Sequence, residues 1–181
     1  MRLSRTNVAP ALAIAMAVAV CLPSPMSAQT PSLQEVQVSD IETVKDKVVG
    51  LAQLFDESQY DWRPTEAVLS VRNVLGWMLA QCLVFPTYWG DESSVRLITT
   101  MQLALVLPRA EMINELNLAF DHLISVVREM DNTERTAQSG HSGPPMQVQA
   151  NISVKMAEMH ERLGQLTVYA RMNDLVPPWS L

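Results

Sequence analysis

Apolar residues along this chain recur at alternating steps of four and three in four separate stretches, the signature of amphipathic helices with one buried face. Val44, Val48, Leu51 and Phe55 form the first stripe, with Asp40 as the expected N-cap and Asp56 as the approximate end. Val71, Val74, Leu75, Met78, Leu79 and Cys82 form the second; Ser70 caps it, Trp77 sits just off its centre, and Pro86 ends or kinks it. Met112, Leu116, Phe120, Leu123, Ile124 and Val127 form the third, over 109–130 behind Pro108. Met159, Leu163, Leu166 and Ala170 form the fourth, flanked by Tyr169 and Met172. This helix starts near Ala150 and stops at Asn173, ahead of Pro177 and Pro178.

The stretches between these helices differ in character. Residues 60–64 hold a tyrosine, an aspartate and a tryptophan before Arg63-Pro64, and the proline forces Arg63 out of helical geometry. Residues 87–94 read as a polar link with Trp89-Gly90-Asp91 as a turn, and 95–107 as a short helix or helical crossover. Residues 133–149 are rich in Ser, Gly, Pro, Gln and Thr without apolar periodicity, so they read as a loop with a solvated His141. The pattern therefore predicts an all-α fold, a four-helix bundle with a long crossover connection between helices 2 and 3. No internal repeat of fixed period is visible.

The N-terminus follows a different rule. Arg2 and Arg5 precede an apolar run from Val8 to Val20, and no acid occurs before Glu35. A run of about 13 residues is too short for a bilayer span, which needs roughly 20. Pro23 and Pro25 break it, and Ser27-Ala28 supply small residues for cleavage, although Met26 is a poor fit to the small residue favoured there. Residues 1–28 are read as a secretory signal, 29–39 as a loosely held leader and 40–181 as the domain. A retained anchor is the alternative; a lipid attachment at Cys21 is disfavoured by the bulk of Val20. The expected location is periplasmic or secreted, with no stable membrane span after cleavage.

Export changes the charge and cysteine bookkeeping. The chain of 181 residues carries a formal charge of −6, and loss of Arg2 and Arg5 makes the domain more acidic still. An acidic domain argues against nucleic acid, whose affinity rests on lysine and arginine meeting phosphate. Cys82 is left as the only thiol, so no internal disulfide can form, and its place on the apolar stripe marks it as a buried, inert side chain. Eleven methionines against three phenylalanines suit an adaptable aliphatic core.

The polar residues of the last helix are crowded: Glu158, His160, Glu161, Arg162 and Gln165 lie within two turns. They read either as a solvated face or as a site. The run Arg162-Leu163-Gly164-Gln165-Leu166, then Val168-Tyr169-Ala170-Arg171-Met172-Asn173 and Val176-Pro177-Pro178-Trp179, resembles the last helix and tail of the DinB-like superfamily of four-helix bundles. Tyr60-Asp61-Trp62-Arg63-Pro64-Thr65 and Ser70-Val71-Arg72-Asn73-Val74-Leu75 resemble the first connection and second helix of that family, and Pro108-Arg109-Ala110-Glu111 through Phe120-Asp121-His122 its third.

Many DinB-like proteins hold a divalent metal with one histidine on the second helix and two, spaced by four, on the last. Residues i and i+4 share a helix face, so both imidazoles can reach one ion. By the resemblance those positions fall on Trp77, Glu158 and Arg162, and all three histidines are absent. Indole offers only an N–H donor and guanidinium is always cationic. The expectation is therefore no metal, no cofactor and no catalytic residue. Instead Glu158 would pair with Arg162 under a stacked Trp77, with Tyr60, Trp62 and His160 as the rim of a pocket.

The function expected from this reading is a binding module for a small molecule in the bundle cavity or for a protein, including a second copy of itself, since family members often pair through helix faces. The rival is a metal-dependent transferase or hydrolase using another ligand set, drawn from Glu158, His160 and Glu161. No serine-nucleophile elbow, phosphate-binding glycine loop or Cys-x-x-Cys is present. His122, His141 and His160 have no ligand spacing among themselves.

Overall fold

The computed structural model describes residues 30–91, 106–131, 136–137 and 145–180. Backbone contacts divide the chain after Thr30, and Pro31–Leu181 carries all four long helices. The segment expected to be a secretory signal, with Cys21, the residues 92–105 of the expected crossover, and His141 lie outside the described residues. Among the described residues no helix is long and apolar enough to cross a membrane.

Helix α1 spans Leu33–Leu54, α2 Val71–Tyr88, α3 Arg109–Arg128 and α4 Val148–Met172. Helices α1 and α2 each pack against both α3 and α4, so α1 and α2 stand on one diagonal of the bundle and α3 and α4 on the other. The start of α1 meets the end of α3 and the start of α4, while the start of α2 meets the start of α3. Helices α1 and α4 therefore run one way, α2 and α3 the other, and a long crossover from α2 to α3 is what two consecutive parallel helices require. The core between them is aliphatic, with Ile41, Leu51, Leu75, Met78, Leu116, Leu123 and Ile152 wholly buried.

Helix α1 begins seven residues before the expected cap at Asp40. Ser32 is the N-cap, and it forms a reciprocal capping box with Glu35: the Ser32 hydroxyl accepts from the Glu35 amide and the Glu35 carboxylate accepts from the Ser32 amide. The segment read as a loose leader is thus mostly helix, and it is tied down. Gln34 Nε2 donates to the carbonyls of Val127 at 2.7 Å, Met130 at 3.1 Å and Arg128 at 3.3 Å, satisfying the open end of α3. Gln37 Nε2 donates to Gln149 O at 2.8 Å at the start of α4.

Two connections also depart from the sequence reading. Helix α2 runs through Pro86 to Tyr88, and Trp89, expected in a polar link, is its buried C-cap; Gly90 then takes the left-handed conformation at φ 85°. Within the 133–149 loop, strand β1 (Thr136–Ala137) pairs antiparallel with β2 (Met146–Gln147), Thr136 opposite Gln147 and Ala137 opposite Met146. Two-residue strands bury a single residue per face, so no periodicity announces them.

Helix α4 ends at Asn173 as expected, in a Schellman turn. The Leu175 amide donates to Ala170 O at 3.0 Å and the Asp174 amide to Arg171 O at 3.1 Å, with Asp174 at φ 57°. The turn sends 175–180 back along α1, where Lys47 Nζ lies 5.6 Å from the centre of the Trp179 ring.

Candidate functional site

Polar and aromatic side chains at helical spacing converge on the seam between α2 and α4. From α4 come Lys155, Glu158, Arg162, Gln165 and Tyr169, at steps of three, four, three and four; from α2 come Asn73, Phe85 and Tyr88. One half of this seam is organised by Lys155. Its side chain is only 13% exposed, its ammonium lies 5.3 Å from the Phe85 ring centre and 5.8 Å from that of Tyr88, and it donates to Glu158 Oε1 at 2.7 Å. A cation set against two aromatic faces and capped by a carboxylate has its lost hydration replaced on both sides.

This arrangement displaces the expected pairing of Glu158 with Arg162. Glu158 is taken by Lys155, one turn earlier, and Arg162 Nη1 donates instead to the neutral Gln165 Oε1 at 3.3 Å. Trp77 makes no ring contact with either side chain among the described residues; it stands 43% exposed on the face of α2 that also carries Asn73 and Tyr88.

The second half of the seam is a relay of neutral groups. Gln165 Nε2 donates to Tyr169 Oη at 2.7 Å, and Tyr169 Oη donates to Leu69 O at 2.9 Å. Trp62 packs edge-on against the Tyr169 ring, with centres 5.4 Å apart, so the rim residue predicted from the 60–64 connection does sit beside this end of α4. An open groove of about 440 Å³ lies here, lined by Arg63, Glu66, Ala67, Val68, Leu69, Asn73, Arg162 and Gln165.

The other two predicted rim residues belong elsewhere. Tyr60 is fully buried, its hydroxyl donating to Ala52 O at 2.8 Å at the end of α1, and burial pushes its pKa up to about 12. Its ring lies 5.2 Å beneath the Arg72 guanidinium, which donates from Nε to Asp61 at 2.8 Å and from Nη2 to Glu57 at 3.1 Å, and from Nη1 to Leu107 O. Glu57 also accepts from the Arg109 amide at 2.9 Å. The family-like 60–65 and 70–75 segments are thus a structural clamp on the starts of α2 and α3. His160 faces α1, where its Nε2 lies 2.9 Å from Asp40 Oδ1, and it is separated from Glu158 by the helix body.

His122 meets Asp91 at 3.0 Å, joining α3 to the turn that follows α2. Cys82 is wholly buried, and desolvation holds its thiol well above its ordinary range, as expected of an inert side chain.

A divalent ion needs several imidazole, thiolate or carboxylate donors aimed at one point. The seam supplies Glu158, already bound to an ammonium, and the exposed Glu66, paired with Arg63, beside a guanidinium and an indole. Among the described residues no three His, Cys, Asp or Glu side chains come together as a ligand set. The described residues of the seam do not fit a divalent metal.

No family model matches the sequence, and no curated protein matches it. The fold does find a counterpart. The crystal structure of a DinB-like protein, YjoA, from Bacillus subtilis superposes with a TM-score of 0.63 over 80% of this chain and 96% of that one, at 15% sequence identity. The fold is therefore that of DinB-like four-helix bundles, as the sequence resemblance implied, and at this identity the likeness speaks to fold alone.

Proposed function

We propose that this DinB-like bundle is an exported binding module in which the α2–α4 seam takes a ligand and no longer a metal. The observation that carries the reading is the fate of Glu158. The one position of the expected triad with a metal-binding side chain is held by Lys155, whose ammonium is itself fixed by Phe85 and Tyr88. A cation at that point repels an incoming ion and occupies its carboxylate ligand. Export rests on the N-terminal pattern of Arg2, Arg5 and the short apolar run. The resemblance also favours pairing of two copies, which sedimentation of the purified protein measures directly.

The test is metal content. Protein purified without chelators or affinity metals is expected to contain far less than one equivalent of zinc, nickel or manganese by elemental analysis. The triple variant Trp77→His, Glu158→His, Arg162→His is expected to gain about one equivalent, as three imidazoles at these helix positions would supply a ligand set. Stoichiometric metal in the natural protein would overturn the reading.

A further inference from the structure

We propose that the groove beside Arg162 is a binding site for a small aliphatic carboxylate, with the Arg162 guanidinium as its anchor. This names the ligand class of the binding-module reading and rests on it. The starting point is a difference among the partly buried arginines. Arg72 is matched by Asp61 and Glu57, and Arg109 donates to Phe55 O at 2.8 Å and Gln53 O at 2.7 Å. Arg162 has a single protein partner among the described residues, the neutral amide of Gln165, and no carboxylate. A guanidinium partly withdrawn from water is ordinarily compensated by an anion or by several acceptors, and here most of its five donors have no protein partner among the described residues.

The rest of the groove fits what would complete it. Arg63 stands in the same wall, adding a second positive charge in a chain whose net charge is −6. Its partner Glu66, at 2.8 Å, is 89% exposed, so that ion pair is weakly held and open to competition. Asn73 Oδ1 accepts from Ser70 Oγ at 3.1 Å, which leaves its Nδ2 as a donor with no partner among the described residues. Gln165 is oriented by the Tyr169–Leu69 relay so that its oxygen faces Arg162. Ala67, Val68 and Leu69 form the apolar part of the wall, Val68 being 38% exposed. Planar carboxylate matches the guanidinium fork through two parallel hydrogen bonds, and a short hydrocarbon tail matches the aliphatic wall.

The experiment follows the side-chain amide signals of Asn73 and Gln165 by NMR in the purified full-length protein during titration with butyrate, butyramide and inorganic phosphate. Butyrate is expected to shift both signals saturably, and butyramide to leave them in place. Arg162→Gln should weaken butyrate binding by about tenfold or more, the scale of a lost charge-assisted pair, with Arg162→Lys in between. Glu66→Gln should act in the opposite direction and tighten it a few-fold, by roughly the worth of an exposed ion pair. Arg171→Gln, on the exposed side of the same helix, should change nothing. The proposal is overturned by an equal response to butyramide, by saturation with phosphate alone, by no saturation at all, or by equal losses in Arg162→Gln and Arg171→Gln. Because Glu66→Gln leaves the bundle's packing untouched, a folding defect in Arg162→Gln does not remove the test. Failure here in metal-free protein sinks only the carboxylate assignment, whereas stoichiometric metal sinks the binding-module reading itself.

Discussion

The indole Nε1 of Trp89 donates to Asn151 Oδ1 at 2.8 Å, and both side chains are buried, 2% and 3% exposed. This bond joins the end of α2 to the start of α4 at one end of the seam, while the Tyr169–Leu69 bond joins their opposite ends. The groove is thus bounded by helices pinned at both extremities. Asn151→Ala is expected to destabilise the protein by about 1–3 kcal/mol, the cost of removing a buried acceptor from a buried donor. Trp89→Phe with Asn151→Leu should cost less than the sum of the single changes, since neither group is then left facing a missing partner. Urea unfolding of the natural protein, Asn151→Ala, the two single variants of the cycle and the double variant measures both quantities.

The first turn of α1 supplies a second prediction. Gln34 serves three carbonyls at the end of α3, and Val38 and Ile41 begin the buried stripe. Gln34→Ala is expected to lower stability by about 1 kcal/mol, the net worth of a partly exposed hydrogen-bonded group. A chain beginning at Asp40 should lose several times that, because it forfeits the Ser32–Glu35 capping box, Gln37 and Val38 as well. An unchanged melting temperature on that truncation would mean that the segment is the loose leader its composition suggests.

Acid sensitivity follows from the clamp around Arg72. The side-chain hydrogen bond from Arg72 holds the Asp61 carboxyl below its ordinary range, and the Arg109 amide followed by Arg72 does the same for Glu57. A carboxyl whose pKa is depressed by folding contributes stability that is fully present above its unfolded value and is lost as the pH falls through the folded one. The melting temperature should therefore decline from about pH 4 downward, where carboxyls begin to protonate. Asp61→Asn should flatten that decline. The contrast should narrow in high salt, as Asp61 is largely exposed.

The stripes of apolar residues make the four helices and their buried faces legible, because burial of one face is what a helix in a bundle needs. Helix ends were less legible. Asp40 is a good cap by type, but Ser32 and Glu35 cap each other, and only the structure shows that Gln37 and Val38 are buried one turn ahead of the predicted start. Local pattern puts Trp89 in a polar link since its neighbours are Gly90 and Asp91; a buried C-cap tryptophan needs Asn151, 62 residues away, to explain it. At the seam the positions were found but the pairing was not. Glu158 had two cations within one turn, Lys155 and Arg162, and the i,i+4 rule favours the second. The choice was made by Phe85 and Tyr88, which hold the Lys155 ammonium from the facing helix and leave no trace in the local pattern.

Gln81 provides a case where removing a polar group should help. Its Oε1 is buried with no hydrogen-bond partner among the described residues. Gln81→Leu keeps roughly the same shape and removes an unsatisfied acceptor, so a gain of about 1 kcal/mol is expected. Equilibrium unfolding compares the two proteins. A loss of that size would show that the oxygen is satisfied in solution, by water or by a ligand reaching the middle of α2.

The Schellman turn after α4 gives the last prediction, and its sign rests on two independent effects. Asp174 occupies the left-handed region at φ 57°, where any side chain is crowded and glycine is not. Its carboxylate also stands at the negative end of a 25-residue helix, one residue beyond the Asn173 cap. Asp174→Gly relieves both and should stabilise by about 1 kcal/mol, the backbone and dipole terms exceeding the entropy that glycine adds to the unfolded chain. Asp174→Asn relieves only the charge and should recover less than half of the gain, with that part vanishing in high salt. Asp174→Ala keeps the strain and should fall below both. Thermal melts of the three variants at low and high ionic strength separate the contributions: Asp174→Ala at or above Asp174→Gly would mean that the turn reforms without the left-handed residue, and that the tail from 175 onward, with its contact between Trp179 and Lys47, is not held by this geometry.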